Sequence, residues 1–249
     1  MQKIYEGKAK VVYKDGERYY IKFKDEVTAF DGKKRASFEG KGYYANKISS
    51  FLFEYLRNFK IKTHYIKCDD KGCWVYPAKV FPFEVVVRSV STGSFVRRYG
   101  IREGEKIKII EFFLKDDKLG DPQISESFIV DYKKWISKNE LEFLKILAFE
   151  IFENLSNLFM KAGLKLVDAK FEFGKSEFNG DIMLVDELSP DVMRIWTQKG
   201  ESLDKDVFRK GKGNLVKVYS RLWDILKSID YNDIIRKKRY EVKVLIELK

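Results

Sequence analysis

The run Leu166-Val167-Asp168-Ala169-Lys170-Phe171-Glu172-Phe173-Gly174 constrains this chain more than any other stretch. Its period of two is that of a β-strand. It places Asp168, Lys170 and Glu172 on one face and Val167, Ala169, Phe171 and Phe173 on the other. A sheet is therefore required, with one face buried and one ionic. Alternating charges beside a buried face are costly as mere structure. Two carboxylates and a lysine on one platform can instead hold Mg²⁺ and phosphate oxygens.

Val185-Asp186-Glu187-Leu188-Ser189-Pro190-Asp191 answers this run across a turn, which predicts a hairpin. Whether Asp186 shares the face of Glu172 depends on register. A three-residue loop Phe178-Asn179-Gly180, with Gly180 left-handed, pairs Glu172 with Asp186. A two-residue Asn179-Gly180 turn pairs Glu172 with Glu187 and sends Asp186 to the other face. A shared acidic site needs the first register, which is the one expected.

The remainder reads as α+β. Lys10–Lys14 and Tyr19–Phe23 flank Asp15-Gly16 as a hairpin within a meander from residue 1 to about 35. Helices are predicted over about 43–59, over Leu141–Phe159 behind the capping box Ser137-x-x-Glu140, and over about 213–229. Strands cover 63–90, interrupted by Pro77 and Pro82, and a last strand runs from Tyr240 to Leu248. A connector near 77–82 divides an N-terminal β-rich region, 1–80, from an α+β region, 81–249.

With 249 residues, 45% of them hydrophobic, the chain can bury a sizeable core. No apolar run reaches membrane-spanning length and no signal-peptide core opens the chain, so a cytoplasmic protein without membrane attachment is expected. The net charge of +11 suits a lysine-rich, thermophile-like surface and also focuses anions into a cleft. No nucleic-acid-binding module accompanies it, and Arg236-Lys237-Lys238-Arg239 reads as a solvated run. Cys68 and Cys73 flank a turn-like stretch; a cross-strand disulfide and two reduced thiols both remain open, while a zinc site with His64 lacks a fourth ligand.

Several shorter motifs gain meaning together. Gly7-Lys8-Ala9-Lys10 enters a strand, either as a plain lysine-rich surface turn or, beside a metal platform, as small residues that let backbone N–H groups approach a phosphate. Glu84-Val85-Val86-Val87-Arg88 feeds Thr92-Gly93-Ser94, a pattern suited to a ribose and phosphate pocket or, more plainly, to a Glu84–Arg88 ion pair. Asp191 and Arg194 follow the acidic strand end as a surface pair or as substrate-positioning groups. Gly40-Lys41-Gly42-Tyr43-Tyr44-Ala45 has the letters of a dinucleotide fingerprint, but no buried strand precedes it, so it is set aside.

In combination these residues closely resemble the SAICAR synthetase family. The resemblance runs from Tyr5–Lys10 through Asp31-Gly32, Pro82–Arg88 with Thr92-Gly93-Ser94, Asp121-Pro122 with Glu126-Ser127, and Val167–Gly174. It continues through Asp186–Asp191 with Arg194-Ile195-Trp196 and Asp204-Lys205-Asp206 with Phe208-Arg209. It implies an ATP- and Mg²⁺-dependent ligase of purine biosynthesis joining carboxyaminoimidazole ribonucleotide to L-aspartate through an acyl phosphate. The implied fold has a kinase-like N-terminal lobe and an ATP-grasp-like C-terminal lobe.

Carried over by motif, Glu172 and Asp186 are the metal ligands, and Gly7, Lys8, Ala9 and Lys10 cover the phosphates. Lys10 and Lys170 neutralise phosphoryl charge, Asp168 orients a lysine or substrate, and adenine sits near Val80. Glu84, Arg88, Thr92, Gly93, Ser94 and Arg194 form the ribonucleotide pocket, with Asp191 positioning substrate. Arg209 and the Asp121–Ser127 loop are candidates for aspartate. Phe83 and Val192-Met193 depart from the family's usual residues. The strand beyond about 235 exceeds the typical bacterial end and reads as an added edge strand or an oligomer contact, such as that of a homodimer. The rival readings are a kinase-like phosphotransferase, which lacks an H-R-D pattern because His64 precedes Tyr65, and a nucleic-acid-binding protein.

Overall fold

The computed structural model describes residues 1–29 and 34–238. Strands β1 (Gln2–Glu6), β2 (Lys10–Asp15) and β3 (Arg18–Phe23) form the meander, with Asp15 opposite Arg18 across the Gly16-Glu17 turn. Gly16 has φ 63°, the left-handed conformation that a tight hairpin turn requires. A separate hairpin, β4 (Glu26–Ala29) with β5 (Lys34–Ser37), leads into α1 (Lys41–Arg57). After α1, β6 (Tyr65–Cys68) and β7 (Gly72–Val75) complete a five-stranded sheet in the order β1-β2-β3-β7-β6. Ile48, Leu52, Tyr55 and Leu56 of α1 are fully buried, as their helical spacing predicts.

The second sheet begins with β8 (Ala78–Val90), followed by α2 (Ser94–Tyr99), β9 (Lys106–Leu114) and β10 (Gln123–Ile124). Then come α3 (Lys138–Lys161), β11 (Leu164–Ser176), β12 (Ile182–Val185), β13 (Met193–Thr197), α4 (Asp206–Arg209) and α5 (Leu215–Lys227). Its strand order is β10-β9-β8-β11-β12, with β13 also paired to β11. Ser137 and Glu140 close the capping box at the start of α3: the Glu140 N–H donates to Ser137 Oγ at 3.2 Å, and the Ser137 N–H donates to Glu140 Oε2 at 2.8 Å.

The predicted connector at 77–82 is corrected by the structure. β8 runs unbroken through it, with Ala78, Lys79 and Val80 paired to Ser176, Lys175 and Gly174 of β11. The register slips between Glu172 and Gly174, opposite the stretch that contains Pro82. A bulge is where a strand tolerates a residue without an N–H, so the proline bends β8 and does not end it. The passage between the sheets therefore lies between Val75 and Ala78.

Val167, Ala169, Phe171 and Phe173 on the apolar face of β11 are each at most 1% exposed, and Val85 and Val87 of β8 lie in the same core. Phe83 stacks on Phe81 with ring centroids 5.5 Å apart, so its bulk is absorbed by an aromatic cluster that includes Trp135. The two sheets are stitched by backbone hydrogen bonds from His64 N to Leu184 O (2.9 Å) and from Leu184 N to Lys62 O (3.0 Å). Cys68 and Cys73 stand opposite one another on β6 and β7, both free. No helix among the described residues is long and apolar enough to cross a membrane. The predicted strand Tyr240–Leu248, Arg239 of the basic run and Asp31-Gly32 lie outside the described residues.

Candidate active site

The ionic face of the second sheet looks into a cleft of ≈ 1110 Å³, closed on one side by the turn between β1 and β2. The hairpin that builds its acidic end does not have the predicted register. Glu172 stands opposite Val185, because the connecting loop spans Glu177–Gly180 and so is one residue longer than expected. Strict alternation would then turn Asp186 away. Instead Asp186 leaves β12 with φ 67°, in the left-handed region, and its carboxylate meets Lys10 inside the cleft. For a non-glycine residue that conformation costs about 1–2 kcal/mol, and aspartate is among the residues that tolerate it. Strand parity is broken at one backbone position, and the acid reaches the shared site by that route.

Every acid of this ledge is paired with an ammonium group. Lys10 bridges Asp186 and Glu187, the latter at 2.9 Å. Lys170 bridges Glu84 at 2.6 Å and Glu172 at 2.9 Å, and Lys115 also pairs with Glu172. Burial opposes charge on Lys10, but Asp186, Glu187 and Glu172 outweigh it and raise the lysine above its ordinary pKa. Lys170 is raised in the same way by Glu172, Glu84 and Asp186. Burial would push Asp186 up, yet Lys10 and Lys170 hold it well below the usual carboxylate range. Burial lowers His64 to about 4, so its ring is neutral, and its Nε2 lies 3.0 Å from the Asp186 carbonyl oxygen. The histidine braces the backbone of the acid.

A second array lies further along the same sheet. Arg88 donates from Nε to Glu111 Oε2 at 2.6 Å and from one terminal nitrogen to Asp168 Oδ2 at 2.8 Å. The predicted alternative, a Glu84–Arg88 pair, is not made, since Glu84 takes Lys170. Arg194 donates to the same Asp168 oxygen at 2.7 Å and to Asp206 Oδ2 at 3.0 Å, while Arg209 donates to Asp206 Oδ1 at 2.5 Å. Gly93 lets Arg194 lie flat against the backbone: a Cβ there would sit 2.8 Å from the guanidinium, and its φ is 60°. Thr92 donates to Glu103 at 2.6 Å, and Ser94 opens α2. Arginines held this way present planar donors to a phosphate or carboxylate.

Between the arrays stands Asp191. It is not the surface partner of Arg194; it pairs with the buried Lys41 of α1 and accepts from the Tyr219 hydroxyl at 2.8 Å. Burial pushes this carboxyl up, but Lys41 and Lys205 outweigh it and set it at about 2.

Gly7, Lys8, Ala9, Lys10, Glu84, Arg88, Thr92, Gly93, Ser94, Asp168, Lys170, Glu172, Asp186, Asp191, Arg194 and Arg209 all line the one cleft, and Asp121 stands at its rim. Val80 does not: it is 44% exposed on β8 opposite Gly174, because the strand continues where a connector was expected. Lys115 and Glu111 escaped the sequence reading, and Lys41, Glu187, Lys205 and Asp206 fell in its motifs without being given a role in the site. A lone acid within the apolar run Ile109-Ile110-Glu111-Phe112-Phe113 was a readable signal for Glu111. Lys115 sits in a charged loop with no such contrast.

The donor set fits Mg²⁺ in a particular way. Among the described residues no group of three or more His, Cys, Asp or Glu is placed to hold an ion, so there is no closed protein cage. Glu172 and Asp186 supply two carboxylates facing an open cleft, which suits an ion that takes one or two carboxylates and completes its shell with water and phosphate oxygens.

The sequence matches the SAICAR synthetase family over residues 3–225. It is 45% identical over 223 residues to the phosphoribosylaminoimidazole-succinocarboxamide synthase of Wolbachia sp. subsp. Brugia malayi, covering 87% of this chain and 92% of that one. It is 40% identical over 225 residues to the synthase of Halalkalibacterium halodurans, covering 88% and 94%. The crystal structure of the Ehrlichia chaffeensis synthase superposes with a TM-score of 0.88 at 40% identity, covering 92% of this chain and all of that one. A SAICAR synthetase in complex with ADP superposes with a TM-score of 0.86 at 39% identity, covering 91% and 98%. Fold and site thus define a mixed α+β enzyme that gathers ammonium, carboxylate and guanidinium groups around small anionic ligands. The chain belongs to the SAICAR synthetase family.

Proposed function

We infer that the cleft performs the ligation characteristic of this family, the ATP-dependent joining of carboxyaminoimidazole ribonucleotide to L-aspartate, which gives SAICAR, ADP and phosphate in purine biosynthesis. The observation that carries the reading is that β11 alone supplies Asp168 to the arginine array and Lys170 and Glu172 to the lysine-paired ledge. One strand therefore spans both halves of the reaction.

The chemistry follows from that span. The ribonucleotide carboxylate oxygen attacks the γ-phosphorus, the bond to ADP breaks, and an acyl phosphate forms. The aspartate amine then attacks the acyl carbon; inorganic phosphate leaves and the nitrogen gives up a proton. Negative charge gathers on the moving phosphoryl group in both steps, and Lys10, Lys170 and Lys115 are positioned to face it. Mg²⁺, held by Glu172 and Asp186, would further neutralise the polyphosphate. Arg88, Arg194 and Ser94 bind the ribonucleotide, with Asp168 fixing both arginines in place and Thr92 and Gly93 shaping the turn beneath. Gly7, Lys8 and Ala9 cover the phosphates, and Lys8 already reaches across to Asp117 at 2.6 Å. Arg209, beside Asp206, is the group offered to the aspartate carboxylates.

A coupled assay of ADP formation with carboxyaminoimidazole ribonucleotide, run with and without aspartate, tests the reading. Product formation that requires both substrates is expected; aspartate-independent phosphotransfer at the full rate would overturn it.

A further inference from the structure

The Gly40-Lys41-Gly42 turn is no dinucleotide fingerprint, yet the structure gives each of its three residues a task. Gly40 caps α1 in the left-handed conformation, φ 88°. A Cβ on Gly42 would lie 2.8 Å from the Phe23 carbonyl oxygen, and the Gly42 N–H donates to Asp25 Oδ1 at 2.8 Å. The first turn of α1 is thereby pressed against the backbone that leaves β3. That pressure sends Lys41 inward, where it is 1% exposed and its ammonium pairs with Asp191 and lies 3.4 Å from the Glu26 carbonyl oxygen.

Packing alone does not call for such a residue. A lysine in the first turn of a helix stands against the helix dipole, and burying an ammonium costs several kcal/mol before its partner repays it. A leucine would fill the same space without either penalty. What the lysine achieves is the placement of one carboxylate. From Asp191 the contacts continue inward: its N–H donates to Ser189 Oγ at 3.1 Å, Ser189 bonds Glu187, and Glu187 pairs with Lys10. The groups facing Asp191 are Lys41 from α1, Tyr219 from α5 and Lys205 ahead of α4, with Glu187 in the turn before it.

We propose that Lys41 is a positioning residue for the ligase reaction, delivered by the Gly-Lys-Gly turn to fix the Asp191 carboxylate, together with the Tyr219 hydroxyl, where the two arrays of the cleft meet. The inference rests on reading Asp191 as a substrate-positioning group. Lys41 is buried behind the cleft and does not line it; it acts through Asp191.

The test compares K41Q, K41R, D191N and the K41Q/D191N double variant, each normalised to folded enzyme by ADP titration. K41Q should lower kcat/KM for the ribonucleotide by about tenfold to a hundredfold while ADP binding stays within about twofold. Its acid limb should move toward neutral pH, because the buried carboxylate has lost its principal cation. K41R should keep the acid limb and raise only the ribonucleotide KM. In the double variant K41Q should add nothing to D191N, as expected of two residues acting as one unit. An impaired D191N beside a K41Q enzyme with normal kcat/KM and pH profile overturns the role of Lys41 alone. So does a double variant in which the two losses simply multiply. An unimpaired D191N removes the reading of Asp191 and this inference with it. Should K41Q not fold, K41R decides the matter: equal losses in ribonucleotide and ADP affinity would overturn the proposal.

Discussion

Arg88 and Arg194 donate to one and the same oxygen, Asp168 Oδ2, from opposite neighbouring strands of β11. A single carboxylate thus sets the spacing of two guanidinium groups in the half of the cleft proposed for the ribonucleotide. Asp168→Asn should weaken ribonucleotide binding at least as much as Arg88→Ala does, with ADP binding largely retained. It should also lower stability by about 3–5 kcal/mol, because two buried cations lose a shared partner. Isothermal calorimetry with each ligand and a urea titration check both outcomes.

Glu172→Gln and Asp186→Asn should each reduce turnover by about a thousandfold, or 4 kcal/mol of transition-state stabilisation, with little change in fold. Asn tolerates the left-handed backbone of residue 186, so that variant removes charge without forcing the chain to move. Single-turnover ADP formation measured across a Mg²⁺ series is the readout; near-normal rates would remove the metal role.

Gly93→Ala places a methyl group 2.8 Å from the Arg194 guanidinium at a backbone φ of 60°. The expected cost is about 1–3 kcal/mol in stability together with a raised ribonucleotide KM, since Arg194 must withdraw from the turn. A thermal midpoint and a KM determination test it, and unchanged values would show that the close approach is unimportant.

Asp204 is buried beside Asp206, and that burial, reinforced by the neighbouring charge, lifts its carboxyl to about 6. It accepts backbone hydrogen bonds from Ile195 at 2.9 Å and from Asp206 at 2.7 Å. A carboxyl whose folded pKa lies above its unfolded value keeps its proton to higher pH in the native state than in the unfolded chain. Its contribution is complete below about pH 4 and is lost as the pH rises through 6, by roughly 3 kcal/mol in all. Wild-type stability should therefore fall relative to Asp204→Asn between pH 4 and 7. Parallel urea midpoints over that range would contradict the assignment.

The alternation in 166–174 exposed the strand, its faces and most of the cleft, because period-2 patterning reports burial directly. Asp168, Lys170 and Glu172 were accessible to it for that reason, Arg88 to the like alternation over 84–88, and Arg194 only through its place after the acidic strand end and the family resemblance. The hairpin register was not, since Phe178-Asn179-Gly180 suits more than one loop length and the left-handed turn at Asp186 leaves no trace in composition. Pro82 suggested a break where a bulge in β8 absorbs it. Lys41 and Lys115 were hidden because a lysine with a distant partner looks like any surface lysine until the fold brings that partner near.

The pairing of the ledge's acids with lysines has one more consequence. A polyphosphate entering this cleft meets cations that are already engaged, and an accompanying divalent ion meets anions in the same condition. On the proposed reading, binding would exchange partners: the ammonium groups would turn from carboxylate to phosphate, and Glu172 and Asp186 would be left to hold the metal. Glu84, Glu172, Asp186 and Glu187 outnumber Lys10, Lys115 and Lys170 by one, and a divalent ion would take up that surplus of negative charge.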